Sequence, residues 1–361
     1  MNFLIIGAGA IGCLVGGKLA QQNHAVTLVG RPRFAQIVRE QGLILREPTG
    51  SYAIRNLTVA GSLAEAFAEG QPAYDLAIFT VKSYDTAKAL VELSQAVRAA
   101  GAALPIALSL QNGVGNEEEI AATVGSANLI AGSITTPVSV PQPGVIQISK
   151  AHYSVGLSPW HPALSTGILN ATAKALQAAG FTVILYPEAR GLKWTKVLMN
   201  LLGNAASAIL DESPRTIFTE AKLVDLEIDA LRETLAVMRS AGIAPVNFDR
   251  YPFQWLAPLL RHLPKPVLRQ FLRAQAGARG DKMPSLQIDL SAGKRQSEVN
   301  WLNGAVVRLG HEKGVPTPVN QLLTETLVDL VQNQEKRAAW QHNHARLVAA
   351  AEAYRGKNSR Q

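Results

Sequence analysis

The chain opens with an apolar segment that runs directly into a glycine-rich turn and a predicted helix. Residues 3–6 are all apolar, as in a strand buried on both faces of a parallel sheet, and Gly7, Gly9 and Gly12 follow with GxGxxG spacing. Gly7 permits a tight turn, Gly9 lets a pyrophosphate approach the backbone, and Gly12 allows close packing of helix and strand. Although a purely structural turn is the alternative, this arrangement predicts a dinucleotide site. Its candidate cofactor-binding residues are Gly7, Gly9, Ala10, Ile11 and Gly12.

The second predicted strand, residues 25–29, indicates which dinucleotide binds. In NAD-binding units of this kind, an acidic residue near the end of the strand accepts hydrogen bonds from the ribose hydroxyls. Here the strand is followed by Arg31 and Arg33, and the next carboxylate is that of Glu40. An arginine can pair with the 2′-phosphate of NADP, which a carboxylate would repel. The sequence therefore predicts NADP(H) as the cofactor, with a solvated arginine loop as the alternative.

The composition is that of an ordinary globular protein with room for two domains. The 361 residues are 47% hydrophobic and 17% charged, which is far from the composition of a disordered chain. The single cysteine, Cys13, excludes an internal disulfide and fits a reducing compartment. Since the sequence has neither a signal-peptide pattern nor a run of about twenty apolar residues, we expect a cytoplasmic protein without membrane partners.

The formal net charge is +8, and the excess of basic residues is concentrated in residues 250–279 and near the C-terminus. Such clustering can mark contact with nucleic acid or a membrane surface, but the interleaved aromatic residues of a base-stacking surface are missing. An anionic cofactor and an anionic substrate explain the positive charge more simply. We therefore expect no nucleic-acid partner, whereas apolar helices in the second half could support a homodimer.

Strand and helix signals alternate along the first half of the chain. This alternation predicts an α/β fold, with an N-terminal Rossmann-type, doubly wound parallel sheet followed by an all-α C-terminal domain. The predicted strands are residues 2–7, 25–29, 75–81, 104–110, 128–133 and 181–186, with short extra strands between 41 and 60 and a hairpin appended to the sheet at 144–157.

Helical patterns take over after Pro187. The predicted helices are residues 191–210, 219–241, 297–313 and 319–349. The predicted domains are a Rossmann-type domain at 1–187, a helical domain at 188–340 with an elaborated arm at 246–282, and a basic C-terminal tail at 341–361. Ligands in open α/β folds bind at the carboxyl ends of the strands, so we expect the active site in the cleft between the two domains.

The first predicted helix of the second domain carries three polar residues at a spacing of four. Lys196, Asn200 and Asn204 would lie in one row on one face of this helix, among apolar neighbours. Buried lysine and asparagine side chains are costly unless they find partners. Either the row joins two helices, or an ammonium flanked by two amides binds a carbonyl or carboxylate ligand, and the pattern alone leaves both interpretations open.

Four further polar residues are candidates for a ligand site. Lys82 and Asn112 each follow a predicted sheet strand, although Asn112 and Gly113 together are also typical of a simple turn. Ser285 and Glu298 lie in polar clusters of the second half, and Glu298 could equally stabilise the first turn of a helix. No His, Cys or carboxylate cluster with metal-ligand spacing accompanies them, so we expect no metal.

The order and spacing of these motifs together resemble the ketopantoate reductase (2-dehydropantoate 2-reductase) family over about residues 1–330. That family reduces the 2-keto group of ketopantoate with NADPH to give pantoate, on the way to pantothenate. The resemblance implies that Lys196 and Glu298 are the catalytic pair, the lysine as general acid and the glutamate as a substrate contact. The other implied contacts are Asn112, Asn200, Asn204 and Ser285 for the substrate, and Lys82 and Asn112 for the cofactor, beside the Arg31 that the second strand indicates.

Two departures from the family pattern keep other functions open. The stretch from Gly293 to Glu298 is one residue longer than usual, and the segment 246–282 exceeds that of compact members. The longer segment favours, as the alternative, an NADP-dependent dehydrogenase for a different 2-keto or hydroxy acid. A non-catalytic NADP-binding regulator is a third hypothesis, and it predicts that Lys196 is dispensable.

Overall fold

The computed structural model describes residues 1–68, 73–136, 138–150, 152–279 and 283–358. The chain divides into two compact units. The sheet unit consists of Met1–Gln111 and Gly115–Lys193, and the helical unit consists of Asn112–Val114 and Trp194–Gln361. The division thus falls after Lys193, whereas the predicted domain boundary lies after residue 187.

The sheet unit is built on a large, mostly parallel sheet. Its strands are β1 (Asn2–Ile6), β2 (Ala25–Val29), β3 (Leu43–Glu47), β4 (Gly50–Ile54), β5 (Thr58–Ala60), β6 (Leu76–Phe79), β7 (Ile106–Ser109), β8 (Leu129–Thr135), β9 (Val138–Gln142), β10 (Val145–Ile148), β11 (Ser154–Pro159) and β12 (Thr182–Leu185). In the part of the chain that the structure describes, the large sheet has the order β12-β11-β8-β7-β6-β1-β2-β5. Neighbouring strands of this sheet run parallel, except that β11 and β8 pair antiparallel with each other.

Both faces of this sheet are buried, as the apolar first strand predicts. Phe3 and Ile5 belong to the core on one face, and Leu4 and Ile6 belong to a separate core on the other. The helices of the unit are α1 (Ala10–Gln21), α2 (Pro32–Gln41), α3 (Leu63–Ala66), α4 (Thr86–Ala99), α5 (Asn116–Val124) and α6 (Thr166–Ala178). The predicted Rossmann-type sheet is confirmed.

A second, four-stranded sheet corrects the predicted hairpin at 144–157. β10 pairs in parallel with β3 and antiparallel with β9, in the order β4-β3-β10-β9, whereas β11 pairs with β8 in the large sheet. The hairpin prediction is wrong because its two strands belong to different sheets. Their apolar patterns look alike locally, and the parallel partner of β10 lies much earlier in the chain, at residues 43–47.

The described part of the chain after residue 187 is helical, which confirms the predicted all-α second domain. Its helices are α7 (Ala189–Leu201), α8 (Asn204–Leu210), α9 (Pro214–Thr219), α10 (Ala221–Ser240), α11 (Phe253–His262), α12 (Lys265–Arg279), α13 (Ser285–Ser291), α14 (Asn303–Glu312), α15 (Pro318–Gln332) and α16 (His344–Asn358), with 3₁₀ turns at Glu298–Trp301 and Gln334–Ala339. None of the described helices combines the length and the apolar character needed to cross a membrane.

The predicted helix 191–210 is interrupted at Gly203. This residue has a φ of +70°, a left-handed conformation that glycine adopts without strain, and it separates α7 from α8. Its N–H donates a 2.8 Å hydrogen bond to the buried carboxylate of Glu227 on α10, which therefore caps the start of α8. Since Asn204 is the first residue of this new helix, the prediction of a single helical row ending at Asn204 is wrong.

The predicted arm and the predicted tail both contribute to the core of the helical unit. Phe253 and Leu260 of α11 and Leu268 of α12 are buried in the same core as α10. In the predicted tail, Leu347 and Ala351 of α16 are buried there as well. The basic residues near the C-terminus are therefore carried by a packed helix over the described range.

The half-buried carboxylate of Glu233, at the N-terminus of α15, makes the stability of the fold depend on pH. Glu233 accepts hydrogen bonds from the backbone N–H groups of Val319 and Asn320, each at 2.9 Å, and from the side-chain amide of Asn320 at 2.7 Å. Burial nevertheless raises the pKa of Glu233 from 4.5 to about 7, against the lowering effect of these donors. A carboxyl with a raised pKa stabilises the fold fully below its unfolded pKa, and this contribution is lost as the pH rises through the folded pKa.

We expect the free energy of unfolding to fall by up to about 3 kcal/mol as the pH rises from 4.5 to about 7. Glu233→Gln should abolish this fall, although glutamine cannot accept all three hydrogen bonds and lowers stability throughout. Urea denaturation at several pH values measures the effect, and Glu352→Gln on exposed Glu352 is the matched control. An identical pH dependence in wild type and Glu233→Gln would contradict the assignment.

Candidate functional site

The glycine loop lies at the carboxyl end of β1, where α1 begins. Gly7 has a φ of +113°, and a Cβ on Gly12 would lie 2.0 Å from the Gly7 carbonyl oxygen, so both positions require glycine. A Cβ on Gly9, by contrast, would meet no described atom within 4 Å. Gly9 is also the N-cap of α1 and has no side chain that could accept a hydrogen bond from the first turn. Free N–H donors and open space therefore coincide here, which fits a pyrophosphate group.

The ends of β2 and β6 border this loop. The N–H of Gly7 donates to the carbonyl of Val29 at 3.2 Å, and the Thr80 hydroxyl donates to the Gly7 carbonyl at 2.7 Å. Shortly after Val29, Arg31 is the N-cap of α2 and has an exposed side chain. Shortly after Thr80, Lys82 is half-buried. The candidate cofactor residues of the sheet unit thus follow the carboxyl ends of three neighbouring strands of the large sheet, β6, β1 and β2.

Asn112 belongs to a short turn that is part of the helical unit. The Val114 N–H donates to the Trp301 carbonyl at 3.0 Å. Gly113 has a φ of +81°, and a Cβ there would lie 2.6 Å from Trp301, so this close approach requires glycine. Trp301 ends the 3₁₀ turn that Glu298 begins. The turn therefore brings Asn112 close to the segment that carries Glu298.

A direct hydrogen bond joins two of the predicted site residues. The Asn200 side-chain amide donates to the Asn112 side-chain carbonyl at 3.2 Å, although 88 positions separate the two residues. Lys196 lies one helical turn before Asn200 on α7 and is 8% exposed. An ammonium shielded from water in this way exerts a stronger field on a nearby group than an exposed one does.

Asn204, Ser285 and Glu298 lie in three different local settings. The Asn204 side-chain carbonyl accepts a 3.2 Å hydrogen bond from the N–H of Leu286, which directly follows the exposed Ser285 at the start of α13. Glu298 is 4% exposed. The hydroxyl of Ser297 accepts the first-turn N–H, so Ser297, and not Glu298, caps this 3₁₀ turn.

Three residues that sequence reasoning did not select lie next to this arrangement. The centre of the Phe248 ring is 5.8 Å from the Lys196 ammonium. No short-range sequence pattern indicates this contact, because the two residues are far apart in the sequence. Gln111 and Lys193 are hydrogen-bonded to each other. The sequence could have indicated these two residues only by their position, since Gln111 precedes Asn112 and Lys193 shares a predicted helix with Lys196. Among the residues described, no three His, Cys, Asp or Glu side chains are placed to hold a metal ion.

Both halves of the chain match the models of known protein families. Residues 3–161 match "Ketopantoate reductase PanE/ApbA" and residues 188–331 match "Ketopantoate reductase PanE/ApbA C terminal". A 2-dehydropantoate 2-reductase of Pyrococcus horikoshii is 28% identical over 324 residues, which cover 90% of this chain and 95% of the relative.

Solved structures with this fold cover nearly the whole chain. A PanE/ApbA family ketopantoate reductase from Ralstonia eutropha JMP134 has a TM-score of 0.75 and 28% identity, covering 93% of this chain and 100% of that one. A ternary structure of D-mandelate dehydrogenase with NADH and anilino(oxo)acetate also has a TM-score of 0.75, at 22% identity, covering 94% of this chain and 99% of that one. This second likeness shows a shared fold.

Proposed function

The chain belongs to the ketopantoate reductase family, and on that premise we propose that it reduces the 2-keto group of ketopantoate to give pantoate, with NADPH, on the way to pantothenate. It is an oxidoreductase that acts on a CH–OH group and uses a nicotinamide cofactor.

The observation that best supports the proposal is the arrangement around α7. Lys196 is buried one turn before Asn200, and Asn200 donates to Asn112 from a distant part of the sequence. A structural joint between two helices would not need a buried cation beside the amide pair. A ketone that becomes negatively charged during reduction does need one.

Reduction of the ketone places negative charge on its oxygen, while the bound nicotinamide supplies the hydride. Lys196, as an ammonium, donates a hydrogen bond to that oxygen and then delivers a proton, so it stabilises the charge and acts as general acid. Asn200, held by Asn112, orients the lysine or the carbonyl. Low exposure of Lys196 strengthens its effect because water screens the charge less.

The remaining polar groups are assigned to the other ends of the substrate. Glu298 accepts a hydrogen bond from the substrate hydroxyl, since its carboxylate would repel the carboxylate of the substrate. Because the Asn204 carbonyl accepts from the Leu286 N–H, the Asn204 amide nitrogen is the group that donates to the substrate carboxylate. Ser285 is exposed beside it and supplies a hydroxyl donor to the same group.

Cofactor binding is assigned to the residues that follow the carboxyl ends of β1, β2 and β6. The first turn of α1, with Gly7, Gly9, Ala10, Ile11 and Gly12, holds the pyrophosphate, and Arg31 holds the 2′-phosphate that distinguishes NADPH from NADH. Lys82 is assigned as a second positive charge for the cofactor, and Asn112 is assigned to both cofactor and substrate. Arg31 suits this role because it is exposed, it follows β2 two residues after Val29, which is bonded to Gly7, and α2 has no acidic residue in its first turn.

Arg31→Gln is expected to raise the dissociation constant of NADPH about tenfold, since it removes a charge-assisted hydrogen bond, while NADH binding stays unchanged. Fluorescence titration with both nucleotides measures the two constants. Arg98→Gln, at an exposed arginine of α4, is the matched control. Equal weakening of NADPH and NADH would show that Arg31 does not read the 2′-phosphate.

A substrate panel tests the proposed reaction. NADPH oxidation is followed with ketopantoate, pyruvate, 2-ketoisovalerate and no added acid. Turnover that is efficient with ketopantoate and weak with the others supports the proposal. NADPH binding without ketopantoate turnover would refute it.

A dehydrogenase for a different 2-keto or hydroxy acid is the second candidate function. Phe248, from the start of the long segment 246–282, lies beside the Lys196 ammonium, and the Val246 N–H donates to the Thr195 hydroxyl at 2.9 Å. This segment therefore contacts α7 at the proposed acid and is placed to alter substrate choice. Faster turnover of 2-ketoisovalerate than of ketopantoate in the same panel would favour this candidate.

A further inference from the structure

A buried ion pair lies beside the proposed catalytic machinery and has no assigned role. The Lys193 ammonium on α7 is 2.8 Å from a Glu117 carboxylate oxygen on α5, and the two side chains are 3% and 1% exposed. The ammonium also donates to the carbonyls of Gln111 at 2.6 Å and Gly132 at 3.3 Å. The ammonium thus combines two hydrogen bonds to carbonyls with a close ion pair. Because apolar replacements of such pairs are often as stable, stability alone is a weak reason for this one.

The acceptor residue Gln111 connects two loops that carry predicted site residues. Its backbone directly precedes Asn112. Its side-chain amide donates to the Val81 carbonyl at 3.0 Å and to the Thr86 hydroxyl at 2.7 Å, and Val81 directly precedes Lys82. Fixing Gln111 therefore fixes the start of both loops.

Two side chains of helix α7 form hydrogen bonds with the adjacent residues 111 and 112. Lys193 binds the Gln111 carbonyl, and Asn200 binds the Asn112 side chain. Lys196 lies between these two points of attachment on the same helix. The first contact therefore anchors α7 three residues before Lys196.

We infer that Lys193 is a positioning residue for the proposed reduction, acting through Gln111 to hold Asn112 and Lys196 in their working geometry. Glu117 holds the ammonium in place and balances its charge. The inference rests on the proposed function for its catalytic meaning, whereas the contacts themselves do not depend on the substrate.

The test separates positioning from simple structural support. Lys193→Met alone leaves the Glu117 carboxylate buried and unpaired, so it lowers stability. The double variant Glu117→Gln with Lys193→Met removes both charges and recovers thermal stability. In that double variant we expect kcat to stay about tenfold or more below wild type, although thermal stability is recovered. A merely structural pair would recover kcat together with stability, which would overturn the inference.

A readout that needs no substrate accompanies the kinetics. Hydrogen–deuterium exchange of the Val114 amide, which is bonded to Trp301, should be faster in the double variant than in wild type. The matched control is Glu47→Gln with Lys18→Met, another ion pair of the sheet unit whose side chains are 9% and 13% exposed, and it should leave both kcat and this amide unchanged. If wild type does not reduce ketopantoate, the proposed function fails, and the exchange rate alone decides whether Lys193 fixes this turn. Unchanged exchange would overturn the inference.

Discussion

Replacing Lys196 with alanine is expected to lower kcat for ketopantoate reduction by about 10²- to 10⁴-fold, with the dissociation constant of NADPH nearly unchanged. The loss is large because one group both stabilises the ketone oxygen and supplies the proton. NADPH binding survives because Lys196 belongs to the helical unit, whereas the glycine loop, Arg31 and Lys82 belong to the sheet unit. Stopped-flow reduction and nucleotide titration measure the two quantities separately.

Two further variants make this expectation specific. Lys196→Arg keeps a positive charge but replaces the ammonium with a guanidinium that does not release its proton, so its kcat should also stay low. Lys222→Ala, at an exposed lysine of α10, is the matched control and should behave as wild type. Unchanged turnover in Lys196→Ala, or loss of NADPH binding in that variant, would contradict the catalytic assignment.

Gly9→Ala is expected to weaken NADPH binding by roughly a hundredfold, about 2.7 kcal/mol, without destabilising the fold. The new Cβ meets no described protein atom within 4 Å, so it occupies the space assigned to the pyrophosphate. Gly9 has φ −83° and ψ −170°, which alanine adopts readily, and fewer unfolded conformations should even raise the melting temperature slightly. Nucleotide titration and thermal unfolding of the same sample measure both effects.

Neighbouring glycines provide the controls for this variant. Gly12→Ala places its Cβ 2.0 Å from the Gly7 carbonyl, so it should destabilise the fold itself. Gly167→Ala in α6 meets only an ordinary contact with Ser165 and should leave NADPH binding unchanged. If Gly9→Ala binds NADPH as wild type does, the glycine loop does not hold the pyrophosphate.

The sequence predicts the parts of this protein that depend on short-range patterns. The apolar strand before Gly7 and the alternation of strands and helices predict the parallel sheet, because burial on both faces requires continuous apolar residues. The helical second half follows from the 3.6-residue period in the same way. Asn112 and Asn200 are candidates on the sequence alone, and the structure joins them by a hydrogen bond.

The errors arise where long-range contacts or a single backbone angle decide the outcome. β10 looks like half of a hairpin until it pairs with β3, some hundred residues earlier in the chain. The helix 191–210 is periodic throughout, and only the left-handed conformation of Gly203, fixed by Glu227 on another helix, divides it. Lys193 lies three residues before Lys196 in the same helix, and no short-range pattern singles it out, because its buried partners Gln111 and Glu117 lie about eighty residues earlier in the chain.

Transfer of a labelled hydride tests the central claim most directly. The protein is incubated with ketopantoate and NADPH that carries deuterium on both C4 positions of the reduced nicotinamide, and the acid is analysed by mass spectrometry. The account predicts pantoate with one deuterium at C2, formed by wild type and lost in Lys196→Ala. Recovery of unchanged ketopantoate from the wild-type reaction, with NADPH bound but not oxidised, would contradict it.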